Sequence, residues 1–171
     1  TLISYQSKYD QVIEGKTLFT KEEFEGFNLV NDQTKGDCIH CHITDGDALG
    51  TTLVFSNNGL DAVANANDYK DKGRGAVTGK TSDNGKFIVP SLRNLAFTAP
   101  YMHDGRFKTL EEVINFYSEG LQKSPNIDSK MEFVHQSGAK LTSENKRKIL
   151  AFLLTLSDST FISNPEFSDP N

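Results

Sequence analysis

The chain has 171 residues, one domain's worth of polypeptide, with 36% hydrophobic residues, no Trp and 12 Phe. No apolar run approaches the ~18 residues of a membrane span, and the net charge of -5, from 18 basic and 23 acidic residues in a mixed distribution, argues against the basic stripe of a nucleic-acid binder. So lean an apolar set leaves room in the core for an added component such as a cofactor.

The first residues, Thr1-Leu2-Ile3-Ser4-Tyr5, show neither Met nor a basic region followed by an apolar stretch. Either a removed leader or a piece of a longer chain is expected. Residues 1–19 read as an N-terminal extension. Thr20 and Glu23 fit a capping box and predict a helix over 20–30, with Phe24, Phe27, Leu29 and Val30 as its buried face. Turn chemistry from Asn31 to Asp37 leads into Cys38-Ile39-His40-Cys41-His42. From Asp45 to about Phe87 the chain is dense in Gly, Asn and Asp, a long irregular excursion of the kind that wraps a functional site. Pro90–Asn94 and Ala99–Gly105 read as ordered turns. Thr109 with Glu112 predicts a second capped helix, with Leu110, Val113, Ile114 and Tyr117 on one face and Gly120 at its end. Residues 121–140 read as loop. The last helix is expected from about Thr142 to Leu156, with Ile149, Leu150, Leu153 and Leu154 inward and Lys146, Arg147 and Lys148 outward. The tail from about 158, carrying Pro165 and Pro170, is expected to be loosely attached. The whole reads as a single mostly helical domain, 1–171, with no internal repeat.

Cys38, Cys41 and His42 form Cys-x-x-Cys-His, the attachment signature of a c-type haem. Two thioethers clamp one edge of the porphyrin and the adjacent imidazole reaches the iron. A structural zinc site needs a second ligand pair, which the cysteine count does not supply. A redox dithiol would sit in a βαβ setting, and a disulfide across two residues would be strained. His40 reads as a solvent-facing spacer and His135 as exposed. For the opposite face of the iron the candidates are Met102, Tyr117 and Met131. Met ligation suits electron transfer, and an open position suits small-molecule chemistry.

Val89-Pro90-Ser91-Leu92-Arg93-Asn94 and the stretch from Thr98 through Pro100-Tyr101-Met102-His103-Asp104-Gly105 to Val113 resemble the C-terminal haem domain of bacterial di-haem cytochrome c peroxidases and their MauG-like relatives. Ser7–Asp10, the Leu18–Gly26 segment and the close from Leu141 to Asp158 match that domain as well. The resemblance implies a cytochrome-c-like haem domain, mostly α, with long irregular insertions, one covalently attached haem c, and a periplasmic or otherwise extracytoplasmic address. Aligned forward from His103, Tyr117 falls on the family's ligand position; aligned backward from Leu141, Met131 falls within a residue of it. Met131 is preferred, with Tyr117 next and Met102 third. Arg93 matches a residue that contacts the haem propionates, and Met102 could pack on the porphyrin. The carbonyls of Thr98 and Pro100 match calcium ligands at an interface to which the second domain also contributes, so this chain alone offers an incomplete calcium site.

With a single Cys-x-x-Cys-His, the chain matches the electron-transfer half of that family. The expected function is passing electrons to or from a second haem domain or a small soluble redox protein. The alternative is a peroxidase acting on hydrogen peroxide at this haem, which would require a vacant iron position and an acid–base group, with His103 the nearby candidate. A haem-based sensor module is a third reading, without an attached signalling segment to support it.

Overall fold

A computed structural model of the protein describes residues 4–42 and 54–167. Helices are its main regular structure: α1 (Lys8–Ile13), α2 (Lys21–Asn31), α3 (Arg74–Thr78), α4 (Leu110–Asn115), α5 (Ser143–Leu154) and α6 (Ser159–Ile162). Between α2 and α3 lies β1 (Phe55–Ser56), which pairs antiparallel with β2 (Phe87–Ile88) as a two-stranded ribbon. No described helix is long and apolar enough to cross a membrane.

The capping boxes form as expected. Thr20 and Glu23 close the start of α2, and Thr109 and Glu112 close the start of α4. Beyond Asn115 the helix widens into a π turn, Phe116–Gly120, before Gly120 ends it. The loop ahead of α5 contains a 3-10 turn at Glu132–Gln136. The part of the 45–87 excursion that lies within the described residues holds little regular structure, only β1, the short α3, a 3-10 turn at Thr81–Asp83 and the start of β2. Beyond the β1–β2 pair, side chains hold it: Asn57 donates to Tyr69 Oη at 2.7 Å, Tyr69 donates to the Pro125 carbonyl, and Asn126 donates to the carbonyls of Thr81 and Asn84. Residues 45–53 of that excursion, like residues 1–3 and the end of the tail with Pro170, lie outside the described residues.

Several expectations are corrected. The N-terminal segment is not an outlying extension. A third capping box, Ser7 with Asp10, starts α1, and Tyr9 is 2% exposed in the main core with Phe19 packed beside it. The tail is anchored at its root, because buried Asp158 caps α6 and accepts from Ser4 Oγ and the Gln6 N–H. On α5 it is Phe152, fully buried, that fills the core, while Leu154 is 47% exposed. Helical positions three or four apart share a face, and Phe152 lies four after Lys148 in the row that meets α2 at Gly26. Lys146 and Lys148 are half-buried in ion pairs with Glu119 and Glu25 rather than free in solvent. Phe24 on α2 is exposed and stacks on Phe27, which in turn meets Phe152 at 5.5 Å between ring centres.

α2 and α5 cross at Gly26, where a Cβ would stand 2.0 Å from the Lys148 carbonyl oxygen. At an exposed helical site Gly→Ala stabilises by about 1 kcal/mol. Here the backbone contact reverses the sign, and Gly26→Ala is expected to destabilise by about 2 kcal/mol in urea unfolding of the holoprotein. A stabilised variant would contradict this crossing.

Candidate functional site

The apolar side chains divide into two clusters. One joins Tyr9, Val30, Ile114, Leu141, Ile149, Phe152, Leu153 and Leu156, with Cys38 and Ile39 packed at its edge. The other is built on Leu60, Phe116 and Leu121, and at its edge stand Met102, Tyr117 and Met131 together. All three candidates for the far side of an iron therefore share one cluster, while the cysteine motif borders the other. Helix α4 and its π turn link the two, giving Ile114 to the first and Phe116 to the second.

Cys38-Ile39-His40 forms a 3-10 turn, with the His42 N–H bonded to the Cys38 carbonyl at 2.9 Å. Both cysteines are free thiols. Burial pushes the Cys38 thiol up to about 12 and raises Cys41 as well. A redox dithiol needs the opposite, a thiol pKa depressed toward neutrality. His42 Nδ1 lies 2.7 Å from the Pro90 carbonyl oxygen, 48 residues away. A carbonyl can only accept, so Nδ1 carries the hydrogen and Nε2 presents its lone pair, the form in which histidine binds a metal. Burial lowers the His42 pKa despite the opposing pull of that carbonyl, which keeps the ring neutral at pH 7. His40 is more than a spacer: its Nδ1 meets Asp37 Oδ2 at 3.0 Å, and its carbonyl accepts from Lys130 Nζ at 3.1 Å. That last contact brings the Met131 loop alongside the cysteine motif.

Tyr117 lies in the π turn, a distortion frequent at functional sites. Its carbonyl accepts from the Ala139 N–H, and that of Ser118 accepts from Lys140, so the turn is pinned. Burial pushes the phenol up to about 12, opposed by a hydrogen bond from Asn58 and aided by the nearness of Cys38 and Cys41. Asn58 Nδ2 is 3.0 Å from Tyr117 Oη and 3.6 Å from Met102 Sδ. Sequence reasoning missed Asn58, whose partners are 44 and 59 residues away.

Arg93 gives both terminal nitrogens to Asp10, at 2.9 and 2.8 Å, and one of them also to the Ser4 carbonyl. Its Nε is buried without an acceptor. Thr98 and Pro100 are exposed, beside the turn closed by the Tyr101–Phe107 bridge. His103 is exposed and stacks on Phe87 with ring centres 3.7 Å apart, a packing role; His135 is exposed, as read.

These residues fit a covalently held haem. Two neutral thiols lie beside an imidazole in its ligating tautomer. A second set of oxygen and sulfur donors lines a separate apolar cluster, and a buried guanidinium Nε lacks an acceptor of the kind a propionate provides.

No protein-family model matches the chain. It is 42% identical over 187 residues to a cytochrome-c peroxidase of Pseudomonas sp. (strain SCT), covering 93% of this chain and 47% of that one. To the cytochrome c551 peroxidase of Nitrosomonas europaea it is 33% identical over 172 residues, covering 99% and 43%. The crystal structure of a MauG-like protein associated with microbial copper homeostasis superposes with a TM-score of 0.78 at 37% identity, over 98% of this chain and 52% of that one. The chain thus spans about half the length of the relatives it matches.

The Asp10–Arg93 pair carries a pH prediction. Burial alone would raise the Asp10 carboxyl, but the hydrogen bonds from Arg93 and Ser7 outweigh it and hold the group below the usual carboxylate range. Its stabilisation is therefore present above the unfolded pKa of about 3.9 and is lost as pH falls through the lower folded value. Asp10→Asn is expected to cost about 3 kcal/mol at pH 7 by urea unfolding and to flatten the decline below about pH 4. Equal stability of the two proteins at pH 7 would contradict this. Over nearly its whole length the chain, with its Cys38-x-x-Cys41-His42 turn braced by Pro90, is similar to about one half of bacterial cytochrome c peroxidases and of a MauG-like protein.

Proposed function

We propose that the chain is the electron-transfer haem unit of a di-haem peroxidase-like protein, a cytochrome-c-like domain matching the C-terminal half of that family. Cys38 and Cys41 hold one haem c, His42 is the proximal ligand and Tyr117 the sixth. Arg93 is the propionate partner through its free Nε. Bound there, haem supplies one-electron exchange at a potential set by its axial ligands and their hydrogen bonds.

The observation that carries the reading is the pairing of a fixed, neutral His42 with a cluster of oxygen and sulfur donors that would close the other side of the iron. Tyr117 is favoured because its phenol lies near both cysteines, holds a directed hydrogen bond and sits on a pinned backbone. Met131 is the second reading, favoured by the Lys130 contact to His40 in the motif. Among the described residues, His103 is the candidate for handling peroxide protons at this site, and it is stacked on Phe87.

An extracytoplasmic address follows from where c-type haem is attached. The acidic chain suits a small soluble redox protein or a second haem domain that presents a complementary patch. Calcium at the Thr98 and Pro100 carbonyls would need ligands from that second domain.

Two measurements test this. The ferrous protein should bind carbon monoxide slowly and incompletely, because a ligand must first leave. Steady-state turnover with hydrogen peroxide and a reduced cytochrome should fall far below that of an intact di-haem peroxidase, tenfold for each ~1.4 kcal/mol needed to free the site. Comparable turnover would move peroxide chemistry to this haem and overturn the reading.

A further inference from the structure

Asn58 stands between two of the candidate iron donors and touches both. Its amide nitrogen is 3.0 Å from Tyr117 Oη and 3.6 Å from Met102 Sδ. The thioether has no hydrogen and only accepts, so the side facing it must be the NH₂ group and not the carbonyl. An amide nitrogen has two hydrogens, enough for one to each partner. A hydroxyl has one and a carboxylate none, so of the small polar side chains an amide suits this position best.

The backbone around Asn58 is clamped on both sides. The side chain of Asn57 is buried, donating to Tyr69 Oη and accepting from the Gly59 N–H at 2.9 Å. The Asn57 carbonyl accepts from Asp128 at 3.0 Å, and the Gly59 carbonyl accepts from Gln122 at 2.8 Å. Gly59 has φ +72°, and a Cβ there would stand 2.9 Å from the Gln122 carbonyl oxygen. The turn is therefore fixed to the 122–128 loop with the Asn58 side chain directed at the donor cluster.

We propose that Asn58 is a positioning residue that selects the sixth iron ligand and tunes the potential. Its fork takes one lone pair of the Tyr117 oxygen and leaves another for the metal, and it occupies Met102 sulfur so that the thioether does not compete. This rests on Tyr117 being the ligand. A hydrogen bond to that oxygen withdraws electron density from it, weakens it as an anionic donor and so favours the ferrous state.

The test uses the holoprotein with Asn58→Leu, which removes both donors at similar volume, and Asn58→Asp, which keeps the shape and reverses the polarity. Each variant is compared with wild type at matched haem content. Both should shift the ferric visible and electron paramagnetic resonance spectra. Asn58→Leu should lower the midpoint potential by the equivalent of about tenfold in the ferric–ferrous balance, ~59 mV for one electron. In a Tyr117→Phe background the Asn58→Leu shift should vanish. Wild-type spectra and potential in both Asn58 variants, or a shift that persists undiminished in Tyr117→Phe, would overturn the proposal while leaving Tyr117 as ligand. A Tyr117→Phe protein with an unchanged spectrum would instead overturn the ligand assignment and this inference with it.

Discussion

The hydrogen bond from His42 Nδ1 to the Pro90 carbonyl is the constraint on which the rest of the site depends. It fixes the tautomer, and so decides which ring nitrogen can meet a metal. It also fixes position, because a proline carbonyl in a short ordered turn is a rigid acceptor. The same turn continues into Arg93 and Asn94. Arg93 ties it to α1 through Asp10, and Asn94 ties it to the end of α5, its N–H reaching the Leu156 carbonyl at 3.1 Å and its side chain accepting from the Asp158 N–H. Both ends of the described chain thus converge on the segment that braces the imidazole. The buried N-terminal helix and the anchored root of the tail are consequences of that arrangement.

A chain with few apolar residues builds its second cluster from groups that are also potential ligands. Met102, Tyr117 and Met131 are ordinary packing residues by size, yet each carries a lone pair and each is only partly buried. The polar excursion, with only the two-residue β1–β2 ladder, is held by directed amide bonds from Asn57, Asn58 and Asn126. Stiffness at the site therefore comes from side-chain hydrogen bonds rather than from sheet. A ligand cluster held this way keeps its geometry at low reorganisation cost when an electron arrives, which suits the proposed role.

What could be read from the residues was local. The Thr20–Glu23 and Thr109–Glu112 boxes span four residues each, and the Cys-x-x-Cys-His motif spans five. Each carries its physical reason within its own spacing. The Ser7–Asp10 box is just as local, but its Asp in place of the usual Glu or Gln makes it a weaker signal in the sequence. Facing errors on α5 came from the bulk of the neighbour: Phe152 fills the α2 contact and turns Leu154 outward. The contacts that define the site were not legible, because they join distant residues: His42 with Pro90, Asp10 with Arg93, Asn58 with Tyr117 and Met102. No periodicity encodes such pairs, and the wish for an acceptor at Arg93 Nε is visible only once its burial is known.

Denaturing mass spectrometry of the protein made with a haem-attachment machinery tests the central claim most directly. The account predicts a single species heavier than the polypeptide by one haem, not removed by acidified organic solvent, and a return to the polypeptide mass in the Cys38→Ser, Cys41→Ser double variant. A polypeptide of unmodified mass from the wild-type sequence, or haem that extracts freely, would contradict it.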